Sequence, residues 1–240
     1  MKKLEAVIFD LDGTIVHSED NYFLADKVFV ESHGGIYTDQ DRERFTGMGS
    51  KPFVELIKSE LGLKNTVQDL LIEKDEAYLK IARGNTQAFP EMVKLIKALV
   101  LQGVPLAVAS GSSLHVIEET LTMVGLRQNF DHLVSSESVA HPKPDPHVFL
   151  EAAQRMKVNP LNALVLEDSP YGIEAAKAAG MACIAVPYIY SPGAESSYRK
   201  ADLYLGGINE FTAEIVLDWI DGNYCQCEDC SLYDLGRCQE

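Results

Sequence analysis

The sequence predicts an α/β protein, a parallel-sheet core with a small α-helical domain inserted after the first strand. Three observations carry this. Short apolar runs recur at 6–9, 105–109, 133–134, 163–166 and 183–186. Amphipathic helical patterns separate the later runs, the alternation expected of a parallel sheet covered on both faces. Between Thr14 and Ala88 the rhythm breaks, and that stretch offers helices but no buried strand.

Each element has a local reason. Ala6-Val7-Ile8-Phe9 is apolar throughout and stops at Asp10 and Gly13, both poor strand residues. A helix over 20–33 stops at Gly34-Gly35, and Thr38 caps a second over 38–45. Ser50 caps a third, with Phe53, Leu56, Ile57 and Leu61 on one face. Thr66 caps a fourth, with Val67, Leu70, Leu71, Tyr78 and Leu79 turned inward. After Pro90, Met92, Leu95, Ile96, Leu99 and Val100 share a face. Val116, Leu121 and Val124 precede Gly125, Val148, Phe149, Ala152 and Met156 follow Pro146, and Ile173, Ala176 and Ala179 precede Gly180. A strand over 201–205, a Gly206-Gly207 turn and a helix with Phe211, Ile215, Val216 and Trp219 on its apolar face close the fold. The expected division is a core of 1–16 and 88–222, a helical cap of 17–87, and a tail of 223–240. The loop 187–201, with Tyr188, Tyr190, Pro192 and Gly193, is long enough to touch a site at the strand ends.

Composition narrows the partners. The 240 residues are 46% hydrophobic and carry a formal net charge of -15. That charge repels nucleic acid and anionic lipid, so neither is expected as a partner. An anionic substrate would need local lysines, backbone N–H groups and a metal. No apolar run reaches membrane-spanning length, and Met1-Lys2-Lys3 leads straight into the first strand, so a cytoplasmic, monomeric protein is expected. Of five cysteines, Cys183 reads as a core residue. Cys225, Cys227, Cys230 and Cys238 crowd the tail; their spacing departs from a zinc knuckle, and a loose reduced tail is the simpler expectation.

The polar residues at the strand ends carry the chemistry. Asp10 and Asp12 end the first strand, where open α/β sheets place ligands. At ~4 Å and an effective dielectric of ~20, two such charges repel by about 4 kcal/mol. A chain that keeps both holds a cation between them, uses one in each protonation state, or ends the strand with two solvated acids. Ser110-Gly111-Ser112 ends another strand just before a helix, a hydroxyl and backbone N–H group arrangement that suits a phosphoryl oxygen, although Ser-Gly turns are common. Lys143 sits between Pro142 and Pro144, which stiffen it either as a site lysine or as part of a surface turn. Glu167-Asp168 ends a further strand. Four carboxylates with one lysine call for a hard cation, and oxygen-only ligands favour Mg²⁺ over zinc.

In this order, Asp-x-Asp-Gly-Thr, helical insert, Ser110, Lys143 and Glu167-Asp168-Ser169-Pro170-x-Gly172, the chain resembles the haloacid dehalogenase superfamily. It is most similar to the branch of β-phosphoglucomutase and phosphoglycolate phosphatase, over nearly all of its length except the cysteine tail. The resemblance implies a HAD-like, Rossmann-like core with a cap, and a Mg²⁺-dependent phosphatase acting on a small phosphorylated metabolite, a sugar phosphate. Asp10 would be the nucleophile and Asp12 the general acid and base. Ser110 would bind the transferring phosphoryl group, with Gly111 and Ser112 beside it, and Lys143 would bridge it to Asp10. Mg²⁺ would be held by Asp10, the Asp12 carbonyl and Asp168, with Glu167 close by or through water. Thr14 would orient Asp12, and Lys51 and Glu19 would face the substrate from the cap. A phosphosugar mutase is the alternative, but the family's cap arginine is replaced here by Lys51 and its cap histidine by Asn21 or Tyr22. Asp12 argues against a dehalogenase, and the presence of both aspartates against a non-catalytic binding protein.

Overall fold

A six-stranded, all-parallel sheet organises the structure, a computed structural model that describes residues 2–45, 49–189 and 193–225. In chain order the elements begin with β1 (Lys2–Lys3), β2 (Ala6–Phe9) and β3 (Val16–His17). The helical insert follows as α1 (Glu19–Ser32), α2 (Asp39–Phe45), α3 (Ser50–Leu61) and α4 (Val67–Ala82). The core resumes with β4 (Gln87–Ala88), α5 (Pro90–Leu101), β5 (Leu106–Ser110), α6 (Leu114–Met123), β6 (His132–Ser135) and α7 (His147–Met156). It ends with β7 (Ala163–Glu167), α8 (Pro170–Ala178), β8 (Ala182–Ala185), α9 (Glu195–Tyr198), β9 (Leu203–Tyr204), α10 (Ala213–Asn223) and β10 (Tyr224–Cys225).

The strand order is β6-β5-β2-β7-β8-β9. The chain fills one side of β2 first and then returns to the other, so the switch point lies between β2 and β7, where doubly wound sheets open a crevice. β2 is held on both edges, with Phe9 opposite Val108 on one side and Leu166 on the other. The sheet's two faces differ in bulk. Val7, Phe9, Leu106, Val108, Leu164 and Leu166 pack on α5, α6 and α10, whereas Ile8, Ala107, Ala109, Val165, Cys183 and Ala185 face α7 and α8. Small side chains on the second face let those helices lie close to the backbone. Cys183 is a buried free thiol, as its apolar setting predicts.

The insert has its own apolar centre of Phe29, Tyr37, Phe45, Phe53, Val54, Ile57 and Leu70. A second cluster of Ala25, Tyr78, Leu79 and Ala82 packs on Val116 of α6 and seats the insert on the core. Thr66 caps α4 through a capping box with Asp69, as expected, and Thr38 pairs its N–H and hydroxyl with Asp41 ahead of α2. Ser50 is not a cap: Gly49 takes that position and Ser50 is the first helical residue. Val100 and Ile215 lie outside the buried faces assigned to them. Phe211 precedes α10, whose buried residues are Ala213, Val216 and Ile220.

The neck between core and insert is a two-residue antiparallel ribbon, with Val16 opposite Ala88 and His17 opposite Gln87. Two residues are too few to show a strand period, so the sequence did not announce it. The loop after β8 meets this neck: Tyr188 approaches His17 Nδ1 at 3.3 Å, and the His17 ring packs on Phe89. Tyr190 and Pro192 lie outside the described residues, as do Cys227, Cys230 and Cys238. Among the described residues no helix is long and apolar enough to cross a membrane.

Candidate active site

The end of β2 aims two carboxylates into one cleft. Asp10 extends the ladder by one residue through its N–H to the Leu166 carbonyl (3.0 Å). Leu11, fully buried in the core, anchors the turn between Asp10 and Asp12, and both aspartates line the cleft. Gly13 then adopts φ +77°, and a Cβ there would stand 2.2 Å from Asp168 Oδ2. Glycine is what lets the turns after β2 and β7 touch, and so brings Asp168 beside Asp10 and Asp12.

Lys143 ties these turns together. Its Nζ donates to Asp10 Oδ1 (2.6 Å), Glu167 Oε1 (2.7 Å) and the Ala109 carbonyl (3.1 Å). Burial alone would lower its pKa; the carboxylates of Asp10 and Glu167 overcome that and hold the ammonium above its ordinary value. Glu167 is 1% exposed, and its second oxygen accepts from the N–H (2.7 Å) and hydroxyl (3.0 Å) of Ser169. With both oxygens engaged, Glu167 stands behind Lys143 and is not among the residues lining the cleft. It lies so close to the start of α8 that a Cβ on Gly172 would meet Oε1 at 1.6 Å.

The serine turn after β5 holds Asp12. Ser112 Oγ donates to Asp12 Oδ2 at 2.7 Å, Ser110 approaches the same oxygen at 3.4 Å, and Ser135 fixes the Ser112 carbonyl. Ser112 also meets the Tyr22 hydroxyl of α1 at 2.7 Å. Because the Ser112 proton goes to Asp12, Tyr22 is the donor in that contact. Thr14 was expected to orient Asp12. It is fully buried instead, its hydroxyl has no hydrogen-bond partner, and the serines do that work.

Core and insert enclose a cleft of about 1180 Å³. Asp10, Asp12, Ser110, Gly111, Ser112, Lys143 and Asp168 line its core side, and Glu19, Tyr22, Asp26, Lys51 and Lys74 its other wall. None of the six histidines lines it. Asp26 and Lys74 were not foreseen as cleft residues, and Tyr22 was named only at the position of the family's cap histidine. Lys74 did leave a signal, since it sits three residues after Leu71 and four before Tyr78, on the inward stripe of α4.

Burial raises the carboxyl groups at these strand ends, and repulsion between neighbours adds to it for Asp10 and Asp168. Burial pushes Asp10 up to about 8; Lys143 opposes the shift, and Glu167 and Asp12 add to it. Burial, then Glu167 and Asp10, hold Asp168 well above the usual carboxylate range. Burial also raises Asp12, with Ser112 opposing, and raises Glu19 with help from Asp12. A site with this excess of buried negative charge fits a hard divalent cation. Among the described residues no three His, Cys, Asp or Glu side chains form a metal cage. Asp10 and Asp168 both line the cleft, and two carboxylates completed by backbone oxygen and water make a sparse oxygen set of the kind Mg²⁺ accepts.

Comparison with known proteins agrees with this architecture. The haloacid dehalogenase-like hydrolase family model matches residues 7–186, and the chain belongs to that family. Hexitol phosphatase B of Escherichia coli is 31% identical over 220 residues, covering 90% of this chain and 98% of that protein. The Escherichia coli fructose-1-phosphate phosphatase YqaB is 32% identical over 188 residues, covering 77% and 97%. The crystal structure of CbbY from Rhodobacter sphaeroides in complex with phosphate superposes with a TM-score of 0.78 at 28% identity, covering 86% of this chain and 96% of that one.

Proposed function

We propose that the protein is a Mg²⁺-dependent phosphatase that hydrolyses a small phosphorylated metabolite, a sugar or polyol phosphate, through an aspartyl-phosphate on Asp10, and that it works as a monomer. The observation that carries this reading is Lys143, within 2.7 Å of both Asp10 and Glu167, beside an Asp12 that Ser112 holds at 2.7 Å. A buried lysine against a buried carboxylate serves an anionic nucleophile that must approach an anionic ester. The naming of relatives as phosphatases of hexitols and fructose 1-phosphate supports the substrate class.

In this reading Asp10 attacks phosphorus as the ester P–O bond breaks, and Asp12 gives its proton to the departing alkoxide. Asp12 then takes a proton from water, which attacks the phosphorus and returns the Asp10 carboxylate and inorganic phosphate. Lys143 holds Asp10 and the phosphoryl oxygens together, Ser110 and the Gly111–Ser112 backbone receive the remaining phosphoryl oxygens, and Glu167 holds Lys143. Asp10, Asp168 and the Asp12 carbonyl would hold Mg²⁺, which when bound would screen the phosphoryl charge. Residues 17–87 form the cap that closes over the bound ester and selects it, with Glu19 and Lys51 facing the leaving group.

Turnover of p-nitrophenyl phosphate and of a sugar-phosphate panel, with and without Mg²⁺, tests it. The protein should turn over only with Mg²⁺, and Asp10→Asn should lose at least about 10³-fold in kcat. A protein that binds Mg²⁺ but hydrolyses no phosphate ester would overturn the reading.

A further inference from the structure

The cap wall carries a charge pair that the reaction at Asp10 does not use. Lys74 is 4% exposed, and its Nζ lies 2.8 Å from Asp26 Oδ1. Both residues line the same cleft as Asp10 and Asp168. The ammonium also stands over the rings of Tyr22 (5.1 Å) and Phe53 (5.2 Å). The cap centre around this pair is otherwise apolar and aromatic. Burying two charges there is worse for stability than packing two apolar side chains of like volume. A wall built only to close the cap would not contain them.

We propose that Asp26 and Lys74 are the specificity site for the ester's leaving group, and that they select a neutral, hydroxylated carbon chain over one bearing a second anion. The inference rests on the phosphatase reading. A carboxylate and an ammonium side by side offer one acceptor and one donor, the complement of adjacent hydroxyls, each of which donates and accepts. A second phosphate or a carboxylate would meet Lys74 only together with Asp26. The cleft as a whole points the same way, because seven acidic and four basic side chains line it. Lys143, Lys74 and Arg42 are already committed to carboxylates, Arg42 to Asp20 at 2.6 Å, and Lys51 stands at the exposed rim. The aromatic rings beside the pair supply flat apolar surface for the C–H faces of a sugar or polyol.

The test compares the Mg²⁺-loaded enzyme on a hexitol monophosphate, a hexose bisphosphate and p-nitrophenyl phosphate. The unaltered protein should prefer the hexitol monophosphate over the bisphosphate by at least about tenfold in kcat/KM. Asp26→Asn should lower kcat/KM for the hexitol phosphate about tenfold, chiefly through KM, relative to p-nitrophenyl phosphate, which has no hydroxyls to lose. The same variant leaves Lys74 uncompensated, so its bisphosphate-to-monophosphate ratio should rise at least about tenfold. Lys74→Met should show the first effect without the second. Should Asp26→Asn fail to fold, Asp26→Glu displaces the carboxylate by one methylene and should raise KM for the hexitol phosphate alone. An unaltered protein that prefers the bisphosphate, or variants that lose all three substrates equally, overturn the specificity site while the phosphatase reading stands. A protein that turns over none of the three overturns both.

Discussion

The two walls of the cleft hold their charges differently. On the core side Asp10, Lys143 and Glu167 are locked to strand ends, with Glu167 1% and Asp10 6% exposed and every Glu167 oxygen engaged. On the cap side the charges ride on helices. The Arg42–Asp20 pair, 2.6 Å apart, has side chains 38% and 79% exposed. Lys74 and Asp26 are sunk deeper into that wall, their side chains 5% and 14% exposed. The difference matches the two tasks in the proposed reaction. Groups that meet developing charge gain most from being fixed before the reaction begins, because reorganisation then adds nothing to the barrier. Groups that choose among leaving groups only need different affinities for different ends of the substrate.

The strongest way to break this comparison is to remove one cation from each wall. Lys143→Ala leaves Asp10 and Glu167 as neighbouring buried carboxylates without their partner. We expect a loss of about 3–5 kcal/mol in urea unfolding and at least about 10³-fold in kcat. Arg42→Ala removes an exposed ion pair and should cost under about 1 kcal/mol. Similar losses from the two variants would show that the core side is no more tightly built than the cap. Glycines give a second contrast. Gly172→Ala forces a methyl into Glu167 and should cost about 1–3 kcal/mol, with kcat falling about tenfold or more as Lys143 loses its support. Gly49→Ala meets nothing nearer than Pro52 Cδ at 3.8 Å and should cost under about 1 kcal/mol, the preference for glycine over alanine at the helix cap it occupies, with kcat little changed.

Removing the metal sharpens the comparison through pH. Asp10 is raised to about 8 and Asp168 lies well above its ordinary value, burial being the largest cause for both. A carboxyl whose folded pKa exceeds its unfolded one binds more protons in the folded state. Stability of the metal-free protein should therefore fall as pH rises from about 4 toward 8. Mg²⁺ should flatten that slope, and its apparent affinity should tighten over the same window as protons leave the carboxylates. In EDTA, Asp10→Asn should unfold at higher temperature than the unaltered protein near pH 8, by roughly 2–4 °C for each kcal/mol recovered. Equal slopes with and without Mg²⁺, followed by thermal melts, would argue that the carboxylates do not gather around the ion.

What the sequence disclosed follows the same division. The five apolar runs became β2, β5, β6, β7 and β8 because a buried parallel strand must be apolar throughout, and that pattern is local. Asp10, Asp12, Ser110 and Asp168 were legible as cleft residues because each sits where such a run stops, and sheet topology carries strand ends to one place; Lys143 was legible from the prolines on either side of it. Roles that depend on packing between distant segments were not legible. Thr14 looked like a partner for Asp12, yet Ser112, a hundred residues away, takes that position. Glu167 read as a cleft carboxylate, but Ser169 and Gly172 hold it behind Lys143. Tyr22 and Asp26 lie on α1, whose helical pattern says which face is buried but not which neighbour it meets.

Among the substitutions expected to slow the reaction, the smallest effect lies where the walls touch. Tyr22 reaches from the cap to Ser112, and Ser112 to Asp12, each step 2.7 Å. Burial, with Asp12 next, holds the Tyr22 hydroxyl well above its ordinary pKa, so it stays a donor across the working range. Tyr22→Phe keeps the ring stacked on Tyr78, 4.1 Å between centroids, and removes only the hydroxyl. The fold should hold, and kcat should fall about three- to tenfold, the worth of one hydrogen bond. If that bond serves Asp12 as general acid, the loss should depend on the leaving group. An alkyl phosphate needs a proton on its departing oxygen and should lose more than p-nitrophenyl phosphate, whose phenolate leaves unaided. An equal loss on both esters would mean that Tyr22 only seats the cap, and the two walls would then be joined by packing on Val116 rather than through the reacting groups.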